Sequence, residues 1–536
     1  MQISYKILLA SILIISLIAI STCYLDLERD NSNDPDGVNY KPPVIEASFT
    51  SSVINGYVPL TVNFTDVSTG NIETREWDFD NDGIVDSTDT NPSFVFKYSG
   101  KYPVKLKVTA RKGLIVDEKT QIIDVSFGPP EKYVITSNED GPYIISAADI
   151  DNDGDIDLIC TYNRLNYNNK LSWWENIDGS AVDWQEHIID DEFIISICLS
   201  DVDDDGDVDI LGASYTTGEV LWWENDGTPR DDEGGDGNSW TEHIIKSGFD
   251  RTSSVYASDI DNDGDIDVVA TEYGHYDDTE EEWVNGGICW WENDGSPEDD
   301  EGGDGNSWTE HIIINDLSTS CSAFTSDVDG DEDIDIIVST YGYYDNTNKW
   351  VNSGMYWWEN DGTPRDDIGG DGNSWTKHSI IMEGDADNSA GPRATWVADI
   401  DGDGDMDITG AFWESDEILL FENTDGQGIN WTKHYIDRDF FGAQSVYATD
   451  IDSDGDVDIL GASRLGDEII WWENIDGTCM VWTAHTVDAQ FIFASSAISI
   501  DINADGYMDI VGAANGYYYT NLESSITWWS IFVTSD

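Results

Sequence analysis

Asp149-Ile150-Asp151-Asn152-Asp153-Gly154-Asp155-Ile156-Asp157 places five carboxylates within nine residues, and near copies begin at Asp201, Asp259, Asp327, Asp399, Asp450 and Asp501. Acids this close repel one another unless a cation sits among them. An all-oxygen donor set selects a hard cation, and Ca²⁺ takes six to eight such oxygens at irregular geometry. With the stretch numbered one to nine, positions 1, 3 and 5 are Asp in six copies, and the last copy has Asp501, Asn503 and Asp505. Position 6 is Gly in six copies, as a sharp turn at positive φ requires. Position 7 offers its carbonyl, and position 9, Asp in all seven copies, closes the shell.

The candidate ligands are therefore Asp149, Asp151, Asp153, Asp155 and Asp157 in the first copy, and Asp201, Asp203, Asp205, Asp207 and Asp209 in the second. The third holds Asp259, Asp261, Asp263, Asp265 and Asp267, and the fourth Asp327, Asp329, Asp331, Asp333 and Asp335. The fifth holds Asp399, Asp401, Asp403, Asp405 and Asp407, and the sixth Asp450, Asp452, Asp454, Asp456 and Asp458. The seventh holds Asp501, Asn503, Asp505, Tyr507 through its carbonyl, and Asp509. The fourth copy departs at Glu332, where Gly belongs. An EF-hand needs Glu at position 12. Here that position is Cys160, Gly212, Ala270, Val338, Gly410, Gly461 or Gly512, so the EF-hand is excluded.

Successive copies lie 52, 58, 68, 72, 51 and 51 residues apart, which marks a repeat. A short β-like run precedes each loop and an apolar run follows it. Trp-Trp-Glu-Asn comes next (Trp222, Trp223, Glu224, Asn225, after Leu221), followed in six units by Trp-x-x-His. Four short strands repeated seven times predict a seven-bladed β-propeller over residues 132–536. The last unit ends at Trp528-Trp529 without a Trp-x-x-His strand, while Lys132-Tyr133-Val134-Ile135-Thr136 precedes the first loop. That N-terminal strand is expected to complete the seventh blade and remove the exposed edges of an open sheet.

Before the repeats, period-2 alternation over residues 44–127 predicts a small β-sandwich. Pro59-Leu-Thr-Val-Asn-Phe-Thr-Asp66, Glu76-Trp77-Asp78-Phe79-Asp80 and Tyr98-Ser-Gly-Lys-Tyr102-Pro-Val104 resemble the PKD domain, an Ig-like extracellular spacer or adhesive module. Where that family carries Trp-Asp-Phe-Gly-Asp-Gly, this chain has Asp78, Asp80, Asp82 and Asp86 at the spacing of the repeats. They form a candidate eighth Ca²⁺ site, against the reading of a polar turn. The repeats resemble the FG-GAP and VCBS families, which build integrin-like propellers with Ca²⁺ in the hairpin between the first two strands of a blade. Phe441-Gly442, the loop from Asp450 to Asp458 and Gly461-Ala462-Ser463 carry the FG-GAP pattern, with Ser in place of its Pro.

The 536 residues include 109 acidic and 24 basic ones, for a formal charge of −85. That balance argues against nucleic acid as a partner. The 23 Trp, 24 Tyr and 16 Phe argue against disorder. Residues 1–22 read as a secretory signal peptide, with Lys6 ahead of an apolar run from Ile7 to Ile20. Cys23 then resembles the lipidated Cys of prokaryotic lipoproteins, although Thr22 stands where that pattern prefers Gly, Ala or Ser. Residues 23–43 read as a polar tether. The other five cysteines show no CxxC spacing and imply no disulfide framework.

Six histidines, His187, His243, His311, His378, His434 and His485, recur once per unit and are expected to be structural. Three acidic insertions after Asn225, Asn293 and Asn360 are expected to be solvated loops, with Asp231, Asp232 and Asp236 as a cation-holding alternative. On the face opposite the acidic loops, Tyr273, His275, Tyr276, Trp283, Tyr341, Tyr343, Tyr344 and Trp350 are candidates for stacking on a glycan or anchoring a protein. The chain therefore reads as an all-β, exported, monomeric cell-surface recognition or adhesion protein stabilised by Ca²⁺, without catalytic residues. A polysaccharide lyase-like enzyme and a structural surface-layer component are the alternatives.

Overall fold

Strands in this chain alternate buried and exposed residues where one face meets solvent, and are buried throughout where both faces are covered. The computed structural model shows both kinds. It describes residues 44–111, 113–137, 141–162, 169–227, 240–277, 282–293, 295, 308–344, 350–362, 375–381, 391–516 and 524–532. The expected signal peptide and tether, Cys23, and Asp231, Asp232 and Asp236 lie outside these residues, as does the side chain of Tyr344. Among the described residues every regular element is a strand. The chain divides into two compact units between Ser126 and Phe127, one residue before the boundary expected from sequence.

The first unit is a β-sandwich. One sheet orders Phe49–Ser51, Leu60–Asp66 and Ser93–Phe96; the other orders Asn55–Tyr57, Ile115–Ser126, Gly100–Ala110 and Thr74–Asp78. Trp77, at 0% exposure, lies between Phe49, Phe64 and Phe79 at ring distances of 5.1 to 6.1 Å.

The second unit contains seven four-stranded antiparallel sheets. The second sheet is typical: Ile194–Ser200, Asp209–Ser214, Glu219–Asn225 and Trp240–Lys246, in that order. The seventh is assembled from both ends of the unit. Ala494–Ile500, Asp509–Ala514 and Ser525–Ser530 are completed by Glu131–Ser137, the N-terminal strand expected from sequence. The first strand of each sheet lies against the first strand of the next, and that of the seventh lies against that of the first. Ser495 Oγ donates to the Pro142 carbonyl at 3.1 Å across this last junction.

Adjacent residues of a strand point to opposite faces, so each Trp-Trp pair serves two interfaces. Trp222 packs between the second and third sheets with Val255, Val268 and Trp291. Trp223 packs between the first and second with Ile159, Trp173 and Ile210. The same kind of apolar cluster joins the seventh sheet to the first, with Val511, Ile526 and Trp528 against Leu158, Tyr162 and Trp174.

A polar staple accompanies these clusters. The Asn that ends each third strand is fully buried in the first six sheets. Its Nδ2 donates to a loop carbonyl of the preceding sheet: Asn225 to Ile150, Asn293 to Val202, Asn360 to Ile260, Asn423 to Val328 and Asn474 to Ile400, at 2.8 to 3.2 Å. Asn176 reaches Ile502 of the seventh sheet in the same way, at 3.2 Å. Stranding a buried carbonyl costs on the order of 1–3 kcal/mol. Asn225→Ala is therefore expected to destabilise the unit by about 2 kcal/mol in urea denaturation. The exposed neighbour variant Asp226→Ala is expected to stay within about 0.5 kcal/mol of wild type.

Candidate metal centres

Each acidic nonapeptide joins the first and second strands of its sheet. Two residues in it are left-handed. At position 6 the φ values lie between 76° and 103°. At position 4, which sequence reasoning did not single out, they lie between 56° and 77°. The residues there are Asn152, Asp204, Asn262, Gly330, Gly402, Ser453 and Ala504. Asn, Asp and Gly tolerate this conformation best, so five of the seven carried a readable signal.

These two reversals point backbone N–H groups at the carboxylates. The position 6 N–H donates to Oδ2 of position 1 in all seven loops, at 2.9 to 3.1 Å. The position 7 N–H donates to Oδ1 of position 5, also at 2.9 to 3.1 Å. The loop thus fixes its acids before any ion arrives. Ligand oxygens of Asp149, Asp151 and Asp153 converge within 4.8 Å of one another, as do those of Asp259, Asp261 and Asp263. In the second and fourth loops the converging sets are Asp201, Asp203 and Asp209, and Asp327, Asp329 and Asp335.

Position 9 has a further duty. In the second to sixth loops its Oδ2 accepts the N–H of position 2 at 2.9 to 3.1 Å. Its Oδ1 accepts the N–H of the stapling Asn at 2.8 Å. These aspartates are 0 or 1% exposed. Burial pushes their pKa up to about 7 at Asp157 and Asp407. It reaches about 8 at Asp209, Asp267, Asp335, Asp458 and Asp509. Position 9 therefore ties the two ends of the loop to the third strand as well as facing the other acids.

The donor set fits a hard cation. Every converging atom in these named sets is a carboxylate oxygen. Asp452 is 2% exposed and its Oδ2 accepts no hydrogen bond, and burial beside Asp458, Asp454 and Glu473 holds its pKa well above the carboxylate range. An ion would supply the missing partner and remove the repulsion.

The sandwich loop has the same geometry in a different fold. Asn81 and Gly83, at its positions 4 and 6, have φ of 62° and 86°. Gly83 N–H donates to Asp78 Oδ2 at 3.2 Å, and Phe79 N–H to Asp86 Oδ2 at 2.6 Å. Asp78, Asp80 and Asp86 converge, with Lys105 Nζ 3.6 Å from Asp78 Oδ2, while the Asp82 carboxylate receives the Ile84 N–H.

Each of the six histidines is held within its own sheet. Its Nε2 meets the Glu of Trp-Trp-Glu-Asn, or of the equivalent run, at 2.6 to 2.9 Å. In five sheets its ring stacks on the facing Trp at 4.3 to 4.5 Å. In the seventh sheet Tyr133 takes this place and stacks on Trp528 at 4.2 Å. Six of the eight candidate ligand residues lie on two small hairpins, His275–Asp277 with Glu282–Val284, and Tyr343–Tyr344 with Trp350–Val351, while Tyr273 and Tyr341 precede them. Tyr273 and Tyr276 meet Trp283 at 5.2 and 6.2 Å, and Tyr341 meets the buried Trp350 at 5.7 Å. His275 pairs with Asp250. The five described cysteines are free, and burial pushes their thiols above the usual range.

Two outcomes follow from the loop geometry. Glu332 has a left-handed φ of 76°, which costs an L residue about 1–2 kcal/mol. Glu332→Gly is expected to stabilise the unit by about 1 kcal/mol, read from urea midpoints. The raised pKa values of position 9 favour the neutral acid in the folded chain. Without a divalent cation, their contribution is complete below the unfolded value near 4 and is lost as pH rises through 7 to 8. Melting curves in chelator are expected to give a higher Tm at pH 5.5 than at pH 8.5.

The PKD domain family matches residues 40–125. The FG-GAP-like repeat matches residues 149–211, 201–270, 399–461 and 450–512. No curated protein matches the chain. Among solved structures, the PKD1 domain of Vibrio cholerae metalloprotease PrtV is 33% identical, covering 15% of this chain and 96% of that domain, with a TM-score of 0.13. The BBS1N–ARL6DN complex is 9% identical over 76% of this chain and 98% of that one, with a TM-score of 0.44. A putative phosphatase from Bacteroides thetaiotaomicron is 8% identical over 92% and 98%, with a TM-score of 0.37. The chain thus carries an N-terminal PKD domain followed by FG-GAP-like repeats.

Proposed function

We propose that this is an extracellular or cell-surface recognition protein whose seven sheets close as the blades of a propeller around bound Ca²⁺. The observation that carries the calcium reading is the shared loop geometry, in which backbone N–H groups orient carboxylates that converge within 4.8 Å. Closure is supported by the shared seventh sheet and by the clusters and staples that link each sheet to its neighbour, the seventh and first included. Positions 1, 3, 5 and 9 hold the ion in each repeat, with the carbonyl of position 7. The PKD loop, from Asp78 to Asp86, takes an eighth. The ion is part of the scaffold, because its site recurs in every blade.

Recognition is then a task for the opposite end of the blades, where glycan or protein would meet the loops between second and third strands. Export through residues 1–22, with Cys23 as a lipid anchor, would place both units outside the cell.

Removal of the metal tests the scaffold reading. At free Ca²⁺ tenfold above Kd, each site contributes roughly 1.4 kcal/mol, so seven sites approach the stability of a whole domain. EDTA is expected to lower the Tm of the second unit by more than 10 °C, and added Ca²⁺ to restore it. A melting curve indifferent to EDTA would sink the calcium assignment.

A further inference from the structure

Second strands end, in sheet after sheet, on a large planar side chain. Tyr215 follows Ser214, Tyr273 follows Glu272, Tyr341 follows Thr340, Trp413 follows Phe412 and Arg464 follows Ser463. By strand order this is the end remote from the acidic loops. Arg393, just before the first strand of the fifth sheet, joins the group there and lies 5.1 Å over the Trp413 ring. Arg393 sits beside the hydroxyls of Tyr143 and Tyr341, and near Tyr273 and the Cys321 thiol. Arg464 lies 5.8 Å over the Phe493 ring, within electrostatic range of Tyr143 and Arg393.

Two guanidinium groups thus repel each other in a chain of charge −85. Among the described residues neither forms an ion pair with a carboxylate, although the same end holds Asp250, paired with His275, and Glu414, on the Tyr341 hydroxyl. Gln444 adds a second, independent observation. It is 6% exposed, its Nε2 donates to Tyr143 Oη at 3.4 Å, and its buried Oε1 accepts no hydrogen bond. Arg393 shares a hydrogen bond with Tyr143, so the cluster offers two guanidinium groups without a carboxylate partner among the described residues, and one unused acceptor.

We propose that this end of the second unit binds a terminal acidic sugar, with Arg393 and Arg464 taking its carboxylate and Gln444 Oε1 accepting from one of its hydroxyls. The assignment deepens the proposed recognition function and rests on it. A planar carboxylate matches the guanidinium fork, and the flat C–H face of a sugar suits Tyr273 and Tyr341. An inorganic anion without a proton leaves Gln444 Oε1 without a donor. The overall charge does not exclude a single carboxylate. A six-residue strand spans about 20 Å, more than twice the Debye length of about 8 Å at physiological salt. A long polyanion, reaching the acidic loops, would be repelled.

The test is calorimetric titration of the Ca²⁺-loaded full chain with methyl glucuronide and methyl glucoside, which differ only in the carboxylate. Inorganic phosphate and a tripeptide with a free or an amidated C-terminus complete the series. The glucuronide is expected to bind at least tenfold more tightly than the other probes. Arg464→Gln and Arg393→Gln are each expected to remove that preference while leaving the EDTA-sensitive Tm unchanged. Should Arg393→Gln fail to fold, the solvent-reached Arg464→Gln decides alone. Equal affinity for the two sugars, no binding, phosphate or free peptide carboxylate binding as tightly, or wild-type binding by folded Arg464→Gln would each overturn the proposal. The calcium reading fails separately, through a Tm that ignores EDTA, and that result leaves the sugar preference readable.

Discussion

A buried carboxylate bonded to two backbone N–H groups stands at the head of every second strand in the middle repeats, and the second unit depends on it. Asp209 is representative: Val202 N–H closes the acidic loop onto it at 2.9 Å, and Asn225 N–H binds it to the third strand at 2.8 Å. A carboxylate removed from water must be paired or hydrogen-bonded. That requirement fixes where the loop ends, where the third strand ends, and which way the stapling Asn faces. Loop, sheet and neighbouring sheet are in this sense one arrangement repeated.

Much of this was legible in the sequence, for identifiable reasons. Period-2 alternation separates Trp222 from Trp223, so their assignment to two interfaces follows from strand geometry alone. The spare strand at Lys132 could be matched to the seventh sheet because the other six units each carry a Trp-x-x-His strand in fourth place. The cross-sheet role of Asn225 was not legible, because its partner Ile150 lies 75 residues away and a carbonyl leaves no mark in the sequence. The left-handed position 4 was overlooked because Ser453 and Ala504 obscure the Asn, Asp and Gly of the other copies. Arg393 and Arg464 escaped notice because they follow no motif, one standing just before a first strand and the other just after a second strand of a different sheet.

The charge distribution has the same logic. Acids are concentrated in loops whose backbones are already folded to hold them. The few cations on the opposite end are shielded by aromatic rings, as Arg251 is by Tyr215 and Trp283 at 5.9 and 5.8 Å.

The staple is not uniform around the second unit. The seventh sheet has Ile531, at 1% exposure, where the other six have Asn, so nothing of the kind reaches back to Ile451 of the sixth. The sixth and seventh sheets meet through apolar contacts such as Ile469 against Gly512, and through the Lys132–Asp488 ion pair. That boundary is also where the fourth strand comes from the far end of the unit. Hydrogen exchange should find its weakest protection along this seam, where amides are released by local opening before the remaining sheets come apart.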